Sequence, residues 1–267
     1  MKILFIGDIM GRSGREALEK YLPALQAEHQ PDITIVNGEN AANGKGITEK
    51  ICKQFYEWGV DVITTGNHVW DQREIIPYIA RDPNLLRPIN FPPGTPGNGS
   101  LKLTLNNGHK ILIINAMGRL FMDNLDDPFR AVKTLLETQR LGQDVDAIFI
   151  DFHAETTSEK MSFGHYFDGQ ISAVIGTHTH IPTADAHIME NGTAYQTDAG
   201  MTGDYNSVIG VRKDIAIHRF VKKTPGEKMI PANGTATLCG AIIETNDNTG
   251  LATAITPIRK GGVIGGK

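Results

Sequence analysis

Five short apolar runs in this chain each lead into side chains able to bind a metal ion or a phosphate. That repeated placement constrains the fold more than any single motif. Lys2–Ile6 runs into Gly7-Asp8, and Asp32–Val36 into Asn37-Gly38-Glu39-Asn40. Asp61–Thr64 precedes Gly66-Asn67-His68, Ala147–Asp151 precedes Phe152-His153, and Ser172–Ile175 precedes Gly176-Thr177-His178-Thr179-His180. Short, near-continuous apolar runs read as strands buried on both faces. In open α/β sheets the carboxyl ends of such strands converge on one crevice. Asp8, Glu39, Asn40, Asn67, His68, His153, His178 and His180 are therefore expected to meet.

Helical patterns separate the runs. Ala17, Leu18, Tyr21, Leu22 and Leu25 share one helical face, with Pro23 marking a kink. Thr48 caps a second helix that reaches Trp58 and stops at Gly59. A third helix is predicted from about Gln72 to Ala80, and a fourth from about Phe129 to Leu141. Pro88–Ser100, with four prolines and three glycines, reads as a loop. Leu101–Leu105 and Lys110–Ile114 flank Asn106-Asn107-Gly108-His109 as a hairpin. Beyond residue 186 strands are expected at Ala186–Met189, Thr193–Thr197, Asp214–Phe220, Thr235–Glu244 and Leu251–Ile258. The fold class is α/β, with two packed mixed β-sheets flanked by helices in an α/β/β/α sandwich. Neither an internal repeat nor a linker divides the chain, so one domain over 1–267 is expected.

Composition narrows the partners. With 26 basic against 30 acidic side chains, the net charge of −4 argues against a protein that coats nucleic acid or an anionic membrane. A homo-oligomer remains compatible with the sequence. Cys52 and Cys239 form no CxxC pair, which argues against a disulfide framework or a thiolate zinc site and points to the cytoplasm. Ile3–Ile6 is too short for the apolar core of a signal peptide, and no stretch approaches the ~20 residues of a membrane span.

The residue types at the strand ends suit two divalent ions. A metal pair ~3.5–4 Å apart can clamp the attacking and leaving oxygens of a displacement at phosphorus. It needs a bridging carboxylate, further oxygen donors and imidazoles. Singly, each residue has an ordinary alternative: Asp8 as a helix cap, Glu39-Asn40 as turn residues, His153 as a buried structural histidine. Their correlated placement favours ligation. Asp71 could orient His68, but Asp71-x-x-Glu74 reads first as a capping box. Lys45, Arg12 and Arg15 read as solvated cations; Trp70, Tyr195 and Tyr205 read as packing aromatics before they read as base-stacking ones.

Gly66-Asn67-His68, then His153, then His178-x-His180 resembles the calcineurin-like metallophosphoesterases, whose blocks are D-x-H, G-D-x-x-D, G-N-H-[DE], a lone His and G-H-x-H. Here Met10 stands at the histidine of the first block, Gly38-Glu39-Asn40 replaces the second, and Thr177 replaces the glycine of the last. Those departures resemble a small bacterial subfamily of 2′,3′-cyclic-nucleotide 2′-phosphodiesterases. The likeness runs through Gly7–Arg12, Val36–Ala42, Thr65–Asp71, Asp151–Glu155, Gly176–His180 and Thr197–Gly203.

The resemblance implies that Glu39 bridges two ions, with Asp8, Asn40 and His180 completing one site and Asn67, His153 and His178 the other. It implies iron or manganese, with zinc also compatible, and hydroxide attack on a small cyclic nucleotide to leave a 3′-phosphate. His68 would act as proton donor. Other readings remain open: a metal-binding regulatory protein, or a metallophosphatase or phosphodiesterase for 3′,5′-cyclic nucleotides or phosphomonoesters. A dinucleotide-binding module is disfavoured, because Gly7-x3-Gly11-x2-Gly14 lacks the G-x-G-x-x-G spacing.

Overall fold

A computed structural model describes residues 1–224 and 226–265. In chain order the elements are β1 (Lys2–Ile6), α1 (Gly11–His29), β2 (Ile33–Asn37), α2 (Glu49–Glu57), β3 (Val62–Thr64) and α3 (Ile75–Ile79). Then come β4 (Ser100–Thr104), β5 (Lys110–Met117), α4 (Pro128–Leu136), β6 (Ala147–His153), α5 (Thr157–Phe167) and β7 (Ala173–Thr177). β8 (His187–Ile188), β9 (Ala194–Gln196), α6 (Lys213–Lys222), β10 (Leu238–Thr245) and β11 (Ala252–Lys260) complete the series.

The strands form two mixed sheets, in the orders β11-β10-β1-β2-β3 and β4-β5-β6-β7-β9-β8. β1, β2 and β3 are parallel, as are β5, β6, β7 and β9. The side-chain alternation of β1 shows why the sheets stack. Leu4 and Ile6 face a cluster with Leu18, Leu22 and Leu25 of α1 and Phe55 of α2. Ile3 and Phe5 face the other way, into a cluster shared with Ile111, Ile113 and Phe149 of the second sheet. The Phe5 and Phe149 rings lie 5.0 Å apart across that interface. β6 repeats the pattern, sending Ile148, Ile150 and Phe152 outward against Phe163 and Phe167 of α5. The layers are thus helix, sheet, sheet, helix, as expected. The five strand ends accordingly reach the crevice from two facing sheets.

Local signals account for most boundaries. The Thr48 hydroxyl accepts the Ile51 amide at the start of α2, and Gly59, at φ +88°, follows its end in a conformation that favours glycine. Three expectations need correction. Asp214–Phe220 is the core of helix α6 and not a strand. Its neighbours Ile215 and Ala216 are both buried, which a period of two forbids, while Ile217, Phe220 and Val221 face solvent. The third helix spans only Ile75–Ile79, because Asp71 is committed elsewhere and caps nothing. The fourth runs from Pro128 to Leu136, with Asp127 accepting the Phe129 amide, and stops short of Leu141. Helix α5 is an element that the apolar pattern does not announce. Thr156 caps it, and Thr156-x-x-Glu159 carries the sequence signature of a capping box. Glu159, however, turns its carboxylate to the amides of Arg119 and Leu120. Among the described residues, no helix is long and apolar enough to cross a membrane.

Phe163 lies flat on Phe152, with centroids 4.0 Å apart, and touches Phe129 and Phe167 edge-on or tilted. Phe163→Ala is expected to lower unfolding free energy by ~3–5 kcal/mol in a denaturant titration. A loss below ~1 kcal/mol would show that α5 contributes little to holding β6.

Candidate metal centre

Every residue expected at the crevice reaches it. The inner shell is built around His153 Nε2. Glu39 Oε1 lies 3.1 Å from this nitrogen, Asn67 Oδ1 3.0 Å and His178 Nδ1 3.0 Å. Glu39, His153 and His178 form a group able to hold a metal ion, with ligand atoms all within 4.8 Å of one another.

The outer hydrogen bonds determine which nitrogens are bare. Thr177 Oγ1 donates to Asp151 Oδ1 at 2.7 Å, so it must accept from His153 Nδ1 at 2.9 Å. Nδ1 therefore carries the neutral ring's proton and Nε2 presents a lone pair. His178 Nε2 faces Glu155 Oε2 at 3.1 Å, which leaves Nδ1 bare toward His153. His180 Nδ1 donates to the Ile209 carbonyl at 2.8 Å, which leaves Nε2 pointing inward. Three imidazoles thus turn lone pairs inward, each with its other nitrogen tied outward, the usual arrangement behind metal-binding histidines. With the His153 ring neutral, its Nε2 and the three atoms around it (Glu39 Oε1, Asn67 Oδ1 and His178 Nδ1) have no proton among them; a cation answers that need, either a proton on Nε2 or a metal ion.

The second half of the cluster surrounds Asp8. Its Oδ2 accepts the His178 amide at 3.2 Å, while Oδ1 is buried without a hydrogen-bond partner. α1 takes Met10 as its N-cap residue, so Asp8 is not the helix cap. Asn40 Nδ2 lies 3.2 Å from Glu39 Oε1 and 3.1 Å from His180 Nε2. Reversing that amide places Oδ1 among the same groups. The donor set and the orphaned Asp8 oxygen fit a divalent ion.

The electrostatics of the cluster carry the same demand for positive charge, and without a metal a proton on His153 meets it. Burial opposes the charged form of His153, but Glu39 raises its pKa to about 9. Burial also works against Glu39, yet the His153 charge and hydrogen bond hold it near 2. Burial and the His153 charge push His178 down to about 3. Burial lifts Asp8 to about 7, against the pull of His180 and His153.

Backbone strain brings the ligands together. His178 and His180 sit at φ 99° and 69°, conformations costing about 1–3 kcal/mol each for residues with a Cβ. Asp198 holds this loop, accepting Thr179 N at 3.0 Å and Thr179 Oγ1 at 2.7 Å, and is itself paired with buried Lys160 at 2.7 Å. Gly66 supplies close approach: a methyl there would overlap Glu39 Oε2 and the His153 ring.

His68 stands beside this cluster, its amide donating to Glu39 Oε2 at 3.2 Å. Its Nδ1 lies 3.0 Å from Asp71 Oδ2. Asp71 therefore orients His68, and the capping-box reading is corrected. Tyr195 is buried, Trp70 packs against Phe91, and the Tyr205 hydroxyl shares its one proton between the carbonyls of Met201, at 2.8 Å, and His180, at 3.0 Å. Arg12 pairs with Glu16, and Arg15 donates to the Ala41 carbonyl.

Two stacked mixed sheets with Asp, Glu, Asn and His at their facing strand ends define a metallophosphoesterase-like protein. The chain belongs to the YmdB-like protein family, which matches residues 4–258. It is 47% identical over 258 residues to the 2′,3′-cyclic-nucleotide 2′-phosphodiesterase of Bacillus subtilis (strain 168), covering 97% of this chain and 96% of that protein. A crystal structure of a hypothetical protein from Thermus thermophilus superposes with TM-score 0.91 at 42% identity, covering 98% of this chain and all of that one. A crystal structure described as a novel phosphatase of Mycoplasma pneumoniae gives TM-score 0.90 at 36% identity, covering 98% and 93%.

Thr177→Val removes the hydroxyl that fixes the His153 tautomer. Metal affinity, measured against a competing chelator, is expected to fall roughly 10–100-fold in a folded protein. Unchanged affinity would show that the Asp151–Thr177–His153 chain does not prepare the ligand.

Proposed function

We propose that this protein is a dinuclear-metal phosphodiesterase that opens 2′,3′-cyclic nucleotides to 3′-phosphates. The observation that carries the reading is the ring of lone-pair atoms around His153 Nε2, which calls for a cation. Its fit to the activity named for the Bacillus subtilis relative supports the substrate class. Asp8, Glu39, Asn40 and His180 would hold one ion; Glu39, Asn67, His153 and His178 would hold the other. The donor set suits iron or manganese, and also zinc. Bound there, divalent ions supply Lewis acidity toward phosphoryl oxygens and a water nucleophile at neutral pH.

The chain's own groups do the rest. Glu39 and Asp8 fix the positions of charge, and their burial keeps competing water out. Asp71 holds His68 by Nδ1, so Nε2 faces away from Asp71 and is free to carry a proton. As the bond from phosphorus to the 2′-oxygen breaks, His68 Nε2 gives that proton to the leaving oxygen, and the phosphate stays on the 3′-oxygen. Ligands come from both sheets, so neither half would make the site alone; we read residues 1–267 as one domain. The two thiols, Cys52 and Cys239, are free and buried, which agrees with a cytoplasmic setting.

His68→Ala is expected to reduce kcat on 2′,3′-cyclic AMP by roughly 10²–10⁴ while elemental analysis finds unchanged metal content. Near-normal turnover in a fully loaded variant removes His68 from the role. Stripping the metal is expected to abolish turnover and lower Tm, with iron or manganese restoring both. Restored hydrolysis of phosphomonoesters alone would overturn the phosphodiesterase reading.

A further inference from the structure

A cavity of about 560 Å³ opens beside His68, with Asp71 and Gln72 on one wall and Met10 on another. Asp71 is the residue that holds His68, and Gln72 Nε2 donates to the Lys45 carbonyl at 2.8 Å. Met10 and Ala42, also on its wall, each lie two residues beyond a proposed ligand, Asp8 and Asn40. The cavity therefore adjoins the place where a bound phosphodiester would react.

Its charge is unlike that of the chain. Lys45, Arg219 and Lys228 line it, and Asp71, already engaged with His68, is the one acidic group on the described wall. Arg12, Lys53, Arg81 and Arg212 each pair with a carboxylate elsewhere on the surface. Among the described residues, Lys45, Arg219 and Lys228 have no such partner; Arg219 only approaches the Glu227 carbonyl, at 3.5 Å. In a chain with 30 acidic side chains and 26 basic ones, three cations facing one cavity against a single carboxylate, itself engaged with His68, form a site for an anion. The reacting phosphate cannot be that anion, because its place is at the metal ligands.

We propose that this cavity binds a second phosphate of the substrate, carried on the ribose 5′-oxygen on the far side of the sugar from the cyclic phosphate. Lys45 and Lys228 act there as point charges, and Arg219 offers a planar fork of donors. Met10, Val211, Met229 and Pro231 leave apolar wall for the sugar between the two phosphates. The proposal rests on the phosphodiesterase reading and narrows its substrate. The preferred nucleotide is one with a phosphate at both ends, either a 5′-phosphorylated cyclic mononucleotide or the cyclic-phosphate end of an oligonucleotide.

The test compares the metal-loaded protein on adenosine 2′,3′-cyclic phosphate, the same nucleotide bearing a 5′-phosphate, and a dinucleotide ending in the cyclic phosphate. Substrates with the 5′-phosphate are expected to show KM roughly tenfold lower with similar kcat, since hydrogen bonds to charged groups commonly contribute that much. Gain with the phosphorylated mononucleotide alone assigns the cavity to a terminal phosphate; gain with the dinucleotide assigns it to an oligonucleotide end. Combining Lys45→Ala, Arg219→Ala and Lys228→Ala is expected to erase the preference, and raised salt to weaken it. Equal KM values for all three substrates, or a preference untouched by the triple substitution, would overturn the proposal.

A binding readout separates this outcome from failure of the underlying activity. Adenosine 3′,5′-bisphosphate should bind about tenfold more tightly than adenosine 3′-phosphate, with the gap lost in the triple variant. That comparison decides the cavity's role even if no cyclic nucleotide is turned over.

Discussion

A buried carboxylate, Asp151, accepts hydrogen bonds from both sheets at once. Asn37 Nδ2 at 2.8 Å and Thr64 Oγ1 at 2.5 Å come from the first sheet, and Thr177 Oγ1 at 2.7 Å from the second. Burial alone raises the pKa of Asp151, and these three donors oppose that by favouring its charged form. The same contacts join the sheets directly beneath the crevice and pass a fixed tautomer to His153 through Thr177. Replacing Asp151 with an apolar residue would leave three buried donors without an acceptor. The geometry of the centre thus depends on a group that would never touch metal.

Around this joint the chain concentrates costs that a purely structural core would avoid. It holds two histidines at positive φ, buries Lys160 against Asp198, and leaves Asp8 Oδ1 without a partner. These features lie together at the strand ends and not through the apolar layers. Left-handed residues and unpaired buried atoms also occur elsewhere, as at Phe121 and Thr237; beside a cluster of metal-competent side chains they mark a site shaped for a ligand.

Much of this is legible in the sequence because buried parallel strands have a simple signature and their ends have a fixed destination. Asp8, Glu39, Asn40, Asn67, His68, His153, His178 and His180 can be gathered without knowing any contact. Asp151 is partly legible, since residues two apart on a strand share a face with His153. Thr177 is not, because its role follows from the register that sets it opposite His153 on the neighbouring strand. Asp71 misleads because a capping box and a histidine partner use the same residue at the same spacing. Helix α6 misleads because its short apolar run suits either period, and only the burial of adjacent Ile215 and Ala216 decides between them. The cationic cavity lies beyond sequence reasoning altogether, since Lys45, Arg219 and Lys228 meet only in the folded chain.

The central claim is that His153 Nε2, which holds a proton against Glu39 when no metal is present, gives it up to a metal ion. Crystals grown with manganese or iron and measured by anomalous diffraction test it directly. The account predicts an ion about 2.0–2.3 Å from His153 Nε2, sharing Glu39 with a second ion beside Asp8 and His180. A metal-loaded crystal with no anomalous peak among these residues, and His153 Nε2 protonated toward Glu39, would contradict it.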